Sequence, residues 1–197
     1  VNIAYEALDR HAVDPDKKDK LALIYKAPYR EETFTFTELS KWTNKFANVL
    51  KKYGVVKGDR IFLFMPQSPE YYIAFFGILK IGAVAAPLFE GFMEAAIRSR
   101  LTDSEASIII TKKELLERVP YRELPKLQRM IVIGEPVTDS DIFVHYESEM
   151  AQASDEFELE WLDLEDGMLL HYTAGSTEKP TGVYHVQEAI VQHHATA

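Results

Sequence analysis

From Arg60 to Leu88 the chain alternates in a way that leaves few folds open. Arg60–Met65 is a compact apolar run of strand length, and Ser68-Pro69-Glu70 is a helix start with Ser at the N-cap, Pro at the first position and an acid in the first turn. The helix it opens is apolar nearly all round, and Ala83–Leu88 then reads as a second buried strand. Two buried strands joined by one buried helix through short connections call for parallel pairing and a right-handed crossover. Tyr71 to Phe89 is long enough to span a membrane and holds a single charge, Lys80. That charge is central, however, Gly77 and Gly82 interrupt the run, and Pro87 ends any helix near Ala86. A core helix running into a strand is therefore expected, not a membrane span.

The alternation extends in both directions. Leu21–Tyr25 and Thr33–Phe36 read as short strands of a hairpin around Pro28. Thr37 is expected to cap a helix whose Leu39, Trp42, Phe46, Val49, Leu50 and Tyr53 trace one face, with Lys51 and Lys52 in the last turn and Gly54 beyond it. Phe92–Leu101 reads as a helix and Ser107–Ile110 as a strand. Thr111-Lys112-Lys113-Glu114 has the spacing of a capping box before a short helix, and Met130–Ile133 and Met168–Tyr172 are further strands. Trp42, Phe46, Phe75 and Phe76 are read as core, and Glu156–Glu160 as a half-exposed strand or extended loop. The expected fold is α/β, a three-layer, mostly parallel sheet with helices on both faces. Ligands of such sheets sit beyond the carboxyl ends of the strands, which directs attention to the loop after Tyr172.

Composition narrows the chemistry. A length of 197 residues suits one domain, and a net charge of −9 argues against a general nucleic-acid binder. Between Arg129 and Lys179 there is no Lys or Arg, so that stretch reads as a solvated acidic surface. The absence of cysteine excludes disulfides, thiolate zinc sites, iron–sulfur clusters and a Cys nucleophile, and fits a reducing compartment. The N-terminus has no charged-then-apolar signal layout, and a cytoplasmic location is expected. The six histidines, His11, His145, His171, His185, His193 and His194, match no metal-ligand spacing, so no metal site is expected. The histidines are read as ordinary surface or cap residues, with approach to a nucleotide by His185, just beyond the loop, as the alternative. No Gly-x-Ser-x-Gly elbow and no dinucleotide fingerprint occur.

The loop that follows the last apolar strand runs His171-Tyr172-Thr173-Ala174-Gly175-Ser176-Thr177-Glu178-Lys179-Pro180-Thr181-Gly182-Val183. Its glycines permit close backbone approach, so successive amides can turn inward as an anion nest. Thr173, Ser176 and Thr177 can donate to phosphate oxygens, and Lys179 adds a point charge. The spacing is not that of a Walker A loop. Read as chemistry alone, the stretch is either a phosphate cradle or a polar turn without a ligand.

This loop resembles the Tyr-Thr-Ser-Gly-Ser/Thr-Thr-Gly-x-Pro-Lys-Gly phosphate-binding signature of adenylate-forming enzymes. Thr35-Phe36-Thr37-Glu38-Leu39, Val56-Lys57-Gly58-Asp59-Arg60-Ile61, Met65-Pro66-Gln67-Ser68-Pro69-Glu70 and Ile81-Gly82-Ala83-Val84-Ala85-Ala86-Pro87-Leu88 are similar to that superfamily's N-terminal region. Within the superfamily the wording is most similar to the AMP-forming acetyl-CoA synthetases, and the likeness runs end to end. The resemblance implies the first subdomain of the adenylate-forming fold, with residues 1–197 forming part of an N-terminal domain and the C-terminal domain absent. It implies a ligase that attacks the α-phosphate of Mg²⁺-bound ATP with a small carboxylate, acetate by this likeness, and passes the acyl group to CoA. It further implies Thr173, Gly175, Ser176, Thr177, Lys179 and Gly182 as the ATP phosphate-binding positions, with no catalytic residue in this stretch and no adenylation by it alone.

The chain departs from the family wording at Glu178, where Gly is usual, at Thr181, where Lys is usual, and more mildly at Ala174. A carboxylate about 6 Å from a phosphate charge costs roughly 3 kcal/mol at an effective dielectric near 20. Weakened ATP binding is expected, and the alternative implied is a non-catalytic nucleotide-binding module of the same fold. Self-association through surface that a larger protein would cover is also expected.

Overall fold

A computed structural model describes residues 1–173 and 180–196, without the side chains of 194–196. A short π-turn, Tyr5–Asp9, runs into α1 (Arg10–Ala12), and the hairpin β1 (Leu21–Ala27) and β2 (Arg30–Thr35) forms a separate two-stranded sheet. The main sheet holds β3 (Arg60–Phe64), β4 (Val84–Leu88), β5 (Ile108–Lys112), β6 (Arg129–Ile133), β7 (Phe143–His145), β8 (Gly167–Thr173) and β9 (Thr181–Val186) in the order β7-β6-β5-β3-β4-β8-β9. All adjacent pairs are parallel except β8 with β9, so the sheet is mixed at one edge.

Five helices of the main body follow the strands: α2 (Phe36–Lys52), α3 (Pro69–Lys80), α4 (Glu94–Ser104), α5 (Tyr146–Gln152) and α6 (Gln187–Thr196). The period-two alternation of β3 divides the core. Ile61, Leu63 and Met65 pack with Phe46 and Leu50 of α2, Ile78 of α3 and Met150 of α5. Phe62 and Phe64 face the other way, onto Ile97 and Leu101 of α4. The sheet is thus covered on both faces, the three-layer α/β arrangement expected. The chain moves from β3 to β4 on one side and then to β5 on the other side of β3, so its winding reverses at that central strand. Such a reversal opens a crevice at the carboxyl ends.

The Tyr71–Phe89 segment is a helix entering a strand, and among the described residues no helix is long and apolar enough to cross a membrane. Ser68 caps α3 as expected, its hydroxyl accepting from the Tyr71 amide.

Three local expectations fail. The cap of α2 is Thr35, not Thr37. Thr35 and Glu38 form a reciprocal capping box, and Thr37 instead donates its hydroxyl to the Lys18 carbonyl. Thr111 does not cap a helix. It is the fully buried penultimate residue of β5, its hydroxyl donates to the Phe64 carbonyl at 2.8 Å, and the turn that follows, Lys113–Arg118, is a 3₁₀ helix without a side-chain cap. Trp42 lies at the edge of the α2 stripe and is 40% exposed, not core. Residues 156–160 form an extended loop rather than a strand, with the Asn48 amide donating to the Glu156 carbonyl.

Candidate functional site

The carboxyl ends of β3, β4 and β8 open onto a cleft of about 870 Å³. Its floor is formed by Met65, Leu88 and Leu169, and α3 contributes one wall through Tyr71, Tyr72, Phe75 and Phe76. The opposite wall holds Phe92, Arg100 and Tyr172, with Gln67, Glu90 and His171 toward the rim. Mostly apolar walls with a few polar groups are the usual lining of a small-molecule site. A second recess of about 550 Å³ adjoins it beyond β5, sharing Pro66, Phe89 and Glu90 and presenting Lys112 and Arg118.

The predicted phosphate loop begins at this cleft. Thr173 ends β8 and pairs with Thr181, whose carbonyl accepts the Thr173 hydroxyl at 3.5 Å. Gly182 pairs with Tyr172 inside β9, so it is a strand residue and not part of an open loop. A Cβ there would lie 3.2 Å from Leu170 Cδ1 and 3.3 Å from Tyr172 Cε1, so the missing side chain gives those two residues room. Gly175, Ser176, Thr177 and Lys179, together with Ala174 and Glu178, lie outside the described residues. Both ends of their segment are held by the β8–β9 hairpin, next to the cleft residues His171 and Tyr172.

His185 stands on β9 with its ring 6.0 Å from that of His171, a residue of the cleft lining. Burial, with a smaller contribution from His185, lowers the pKa of His171, so the neutral imidazole is favoured. Among the described residues no group of three His, Asp or Glu side chains is gathered to hold a metal.

Sequence reasoning missed the wall opposite α3. The Tyr172 hydroxyl donates to Asp103 at 2.7 Å, and burial, reinforced by that carboxylate, pushes its phenol pKa upward. Arg100 is only 8% exposed; its guanidinium carbon lies 4.3 Å from the Phe92 ring centroid and 5.7 Å from that of Tyr172. A signal was available: Ile97, Arg100 and Leu101 fall at i, i+3 and i+4, which places a cation on the apolar stripe of α4.

The fold is an open-sheet α/β unit with a cleft beyond the carboxyl edge of its strands. The sequence pattern of the family described as AMP-binding enzyme matches residues 9–197, so the chain belongs to that family. It is 49% identical to the acetyl-coenzyme A synthetase of Bacillus subtilis (strain 168) over 197 residues, all of this chain and 34% of that protein. It is 34% identical to the acetyl-coenzyme A synthetase of Magnetococcus marinus over 202 residues, 94% of this chain and 31% of that one. The chain thus spans about a third of the length of these curated relatives. Among solved structures, an anthranilate CoA ligase, AuaEII, in complex with anthranoyl-AMP superposes with a TM-score of 0.85 at 29% identity, covering 95% of this chain and 35% of that one. An acyl-CoA synthetase of Brucella canis superposes with a TM-score of 0.87 at 24% identity, a likeness of fold.

Proposed function

We propose that this chain is the N-terminal portion of an AMP-forming acid–thiol ligase, with acetate as the acid and ATP and CoA as co-substrates, acting in the cytoplasm. The observation that carries the reading is the 49% identity to an acetyl-coenzyme A synthetase along the whole chain. A cleft at the carboxyl edge of the sheet, bordered by the β8–β9 hairpin, supports it.

In this reading Thr173, Gly175, Ser176, Thr177 and Lys179 cradle the β- and γ-phosphates while the carboxylate displaces pyrophosphate from the α-phosphate. Gly182 serves by letting the hairpin close tightly. Mg²⁺ enters with ATP as part of the substrate. Catalysis of such a displacement is mostly positioning and charge stabilisation. Residues 1–197 supply the cradle but not the whole machinery, so they do not complete adenylation by themselves. Acetate-dependent exchange of pyrophosphate into ATP by this chain alone would refute that statement.

The alternative, a nucleotide-binding module without turnover, is favoured by one observation. Thr181 stands opposite Thr173 at the mouth of the hairpin and offers no cation there. Calorimetry with Mg·ATP weighs the two readings. The pair Glu178→Gly/Thr181→Lys should bind about tenfold more tightly or better, since each change removes a repulsion or adds an attraction of a few kcal/mol. Lys179→Ala should weaken binding. Equal affinity in all three proteins would remove the phosphate cradle from the proposal.

A further inference from the structure

We propose that Arg100 is the oxyanion-holding residue of the aromatic cleft, receiving a carboxylate or a phosphate monoester of the ligand. The proposal rests on the reading of this cleft as an acid-activating site and assigns it a recognition element outside the phosphate loop.

Three observations converge on this one side chain. The first is isolation. Arg30, Arg98, Lys52, Lys57, Lys80 and Lys113 each reach a carboxylate, whereas Arg100 makes no ion pair among the described residues. It is nonetheless more than nine-tenths buried. Burying an unpaired cation is unfavourable, and natural proteins rarely retain one without a use.

The second is unused donor capacity. A guanidinium carries five N–H donors. Within the protein, one nitrogen of Arg100, Nη1, donates to the Ala96 carbonyl at 2.9 Å, and buried Nε has no partner among the described residues. Asp103 accepts the Tyr172 hydroxyl and makes no bond to Arg100. A purely structural filler between Phe92 and Tyr172 would be served as well by methionine, without the desolvation penalty.

The third is the setting. Arg100 lines the 870 Å³ cleft, and its plane is flanked by the rings of Phe92 and Tyr172. Tyr71, Tyr72, Phe75 and Phe76 of α3 line the same space. A cation in such surroundings attracts an oxyanion more strongly than it would in water. The fork geometry of arginine suits the two oxygens that carboxylates and phosphate monoesters both present.

The test is a titration of the full chain, following the ¹⁵N–¹H resonance of the Arg100 guanidinium by NMR, with AMP, acetate, adenosine and sodium chloride as separate probes. The resonance is assigned by its loss in Arg100→Lys. Movement with AMP identifies the phosphate monoester as the oxyanion, and movement with acetate identifies the carboxylate. Either supports the proposal provided adenosine and chloride leave the resonance in place. Affinity for the active probe should fall about tenfold to a hundredfold in Arg100→Met and recover in part in Arg100→Lys. A resonance that neither AMP nor acetate moves, or that adenosine moves equally, overturns the assignment even if Arg100→Met fails to fold. If Lys179→Ala abolishes ATP binding while Arg100 stays silent, the cradle stands and this proposal falls. If Lys179→Ala leaves ATP binding intact while Arg100 responds, the outcome is the reverse.

Discussion

β3 and β9 belong to one sheet and share little else. β3 is central, pairs with β4 and β5 on its two sides, and buries every residue after Arg60. β9 is the outermost strand, pairs with β8 alone, and exposes its first four residues. The join between the two regions is narrow, since β8 meets β4 at a single register pair, Ala85 with Leu169. The contrast separates two tasks. The centre supplies buried apolar area, and the edge supplies a hairpin whose β8 strand lines the cleft through His171 and Tyr172. Segments with few buried contacts open at low free energy, and binding elements are commonly drawn from them. On the reading proposed above, the binding element sits where the fold buries least.

The hardest blow to the centre is Phe62→Ala. Phe62 is fully buried between β3 and α4, and its ring stacks on that of Tyr172 at 6.3 Å. Removing a buried phenylalanine costs about 3–5 kcal/mol through lost transfer energy and the remaining cavity. Urea unfolding followed by circular dichroism measures it. A loss under about 1 kcal/mol would mean that the centre does not carry the stability and that the contrast is misplaced. Loss of the ring also removes the support behind Tyr172, so the cleft wall should loosen in the same variant.

The centre was legible in the sequence for the same reason that it is stable. β3, β4, β5 and β6 are short apolar runs bounded by polar turns, and Ser68-Pro69-Glu70 names its own helix start. β9 was not legible, because Thr181–Val186 lies mostly in solvent and no buried face imposes an alternating pattern on it. β7 has three residues, too few to give a period. The capping-box spacing occurs at both Thr35–Glu38 and Thr111–Glu114, but burial in the sheet claimed Thr111 first. Local chemistry proposes a cap, and tertiary pairing decides between the candidates. Of the proposed site, the hairpin segment drew attention through its glycines and hydroxyls. Arg100 was not singled out, since its meaning depends on Phe92 and Tyr172, eight positions before it and seventy-two after it, meeting at one spot.

A buried cation in the centre sharpens the comparison next. Lys80 is fully buried in the last turn of α3, where Nζ donates to Asp9 Oδ1 at 2.7 Å, Asn44 Oδ1 at 2.6 Å and the Ser40 carbonyl at 3.2 Å. Lys80→Met strands these acceptors at the junction of the N-terminal turn with α2 and α3, at about 2–3 kcal/mol, since Asp9 retains some solvent. Burial lowers the Lys80 pKa below 10.5, and the Asp9 partner only partly opposes it. The unfolded chain therefore holds more protons than the folded one between that lowered value and 10.5. The stability contribution is complete above 10.5 and is lost as pH falls through the folded value. Lys80→Met should flatten this alkaline rise, and an unchanged pH slope would show that the lysine keeps its ordinary pKa where it lies.

A smaller effect, of the opposite pH sense, belongs to the contact between the β1–β2 hairpin and α3. Glu70 accepts from Arg30 Nη1 at 3.2 Å and from Nη2 at 2.5 Å. Burial is the largest single influence and raises the Glu70 pKa, but the Arg30 hydrogen bonds, the backbone amide of Glu70, the Ser68 hydroxyl and the Arg30 charge together outweigh it, and the net shift is downward from 4.5. The stability it contributes is present above 4.5 and disappears as pH falls through the lower folded value. Glu70→Gln should cost about 1 kcal/mol at neutral pH, a modest figure because Arg30 is partly exposed, and nothing in strong acid. Equal destabilisation at both pH values would assign the loss to packing instead.

The smallest effect is expected at the edge itself. Tyr184 lies on β9 opposite Leu170 and is 50% exposed, so Tyr184→Ser gives up only part of its apolar burial and one cross-strand contact. Surface changes of this kind fall near 0.5 kcal/mol. Global unfolding in urea should therefore hardly change, while amide exchange on β9 should accelerate, because the hairpin opens without the centre. The two readings together decide the matter. If Tyr184→Ser lowers global stability as much as Phe62→Ala does, β9 unfolds only with β3, the sheet is one cooperative unit, and a loosely tethered binding edge does not exist.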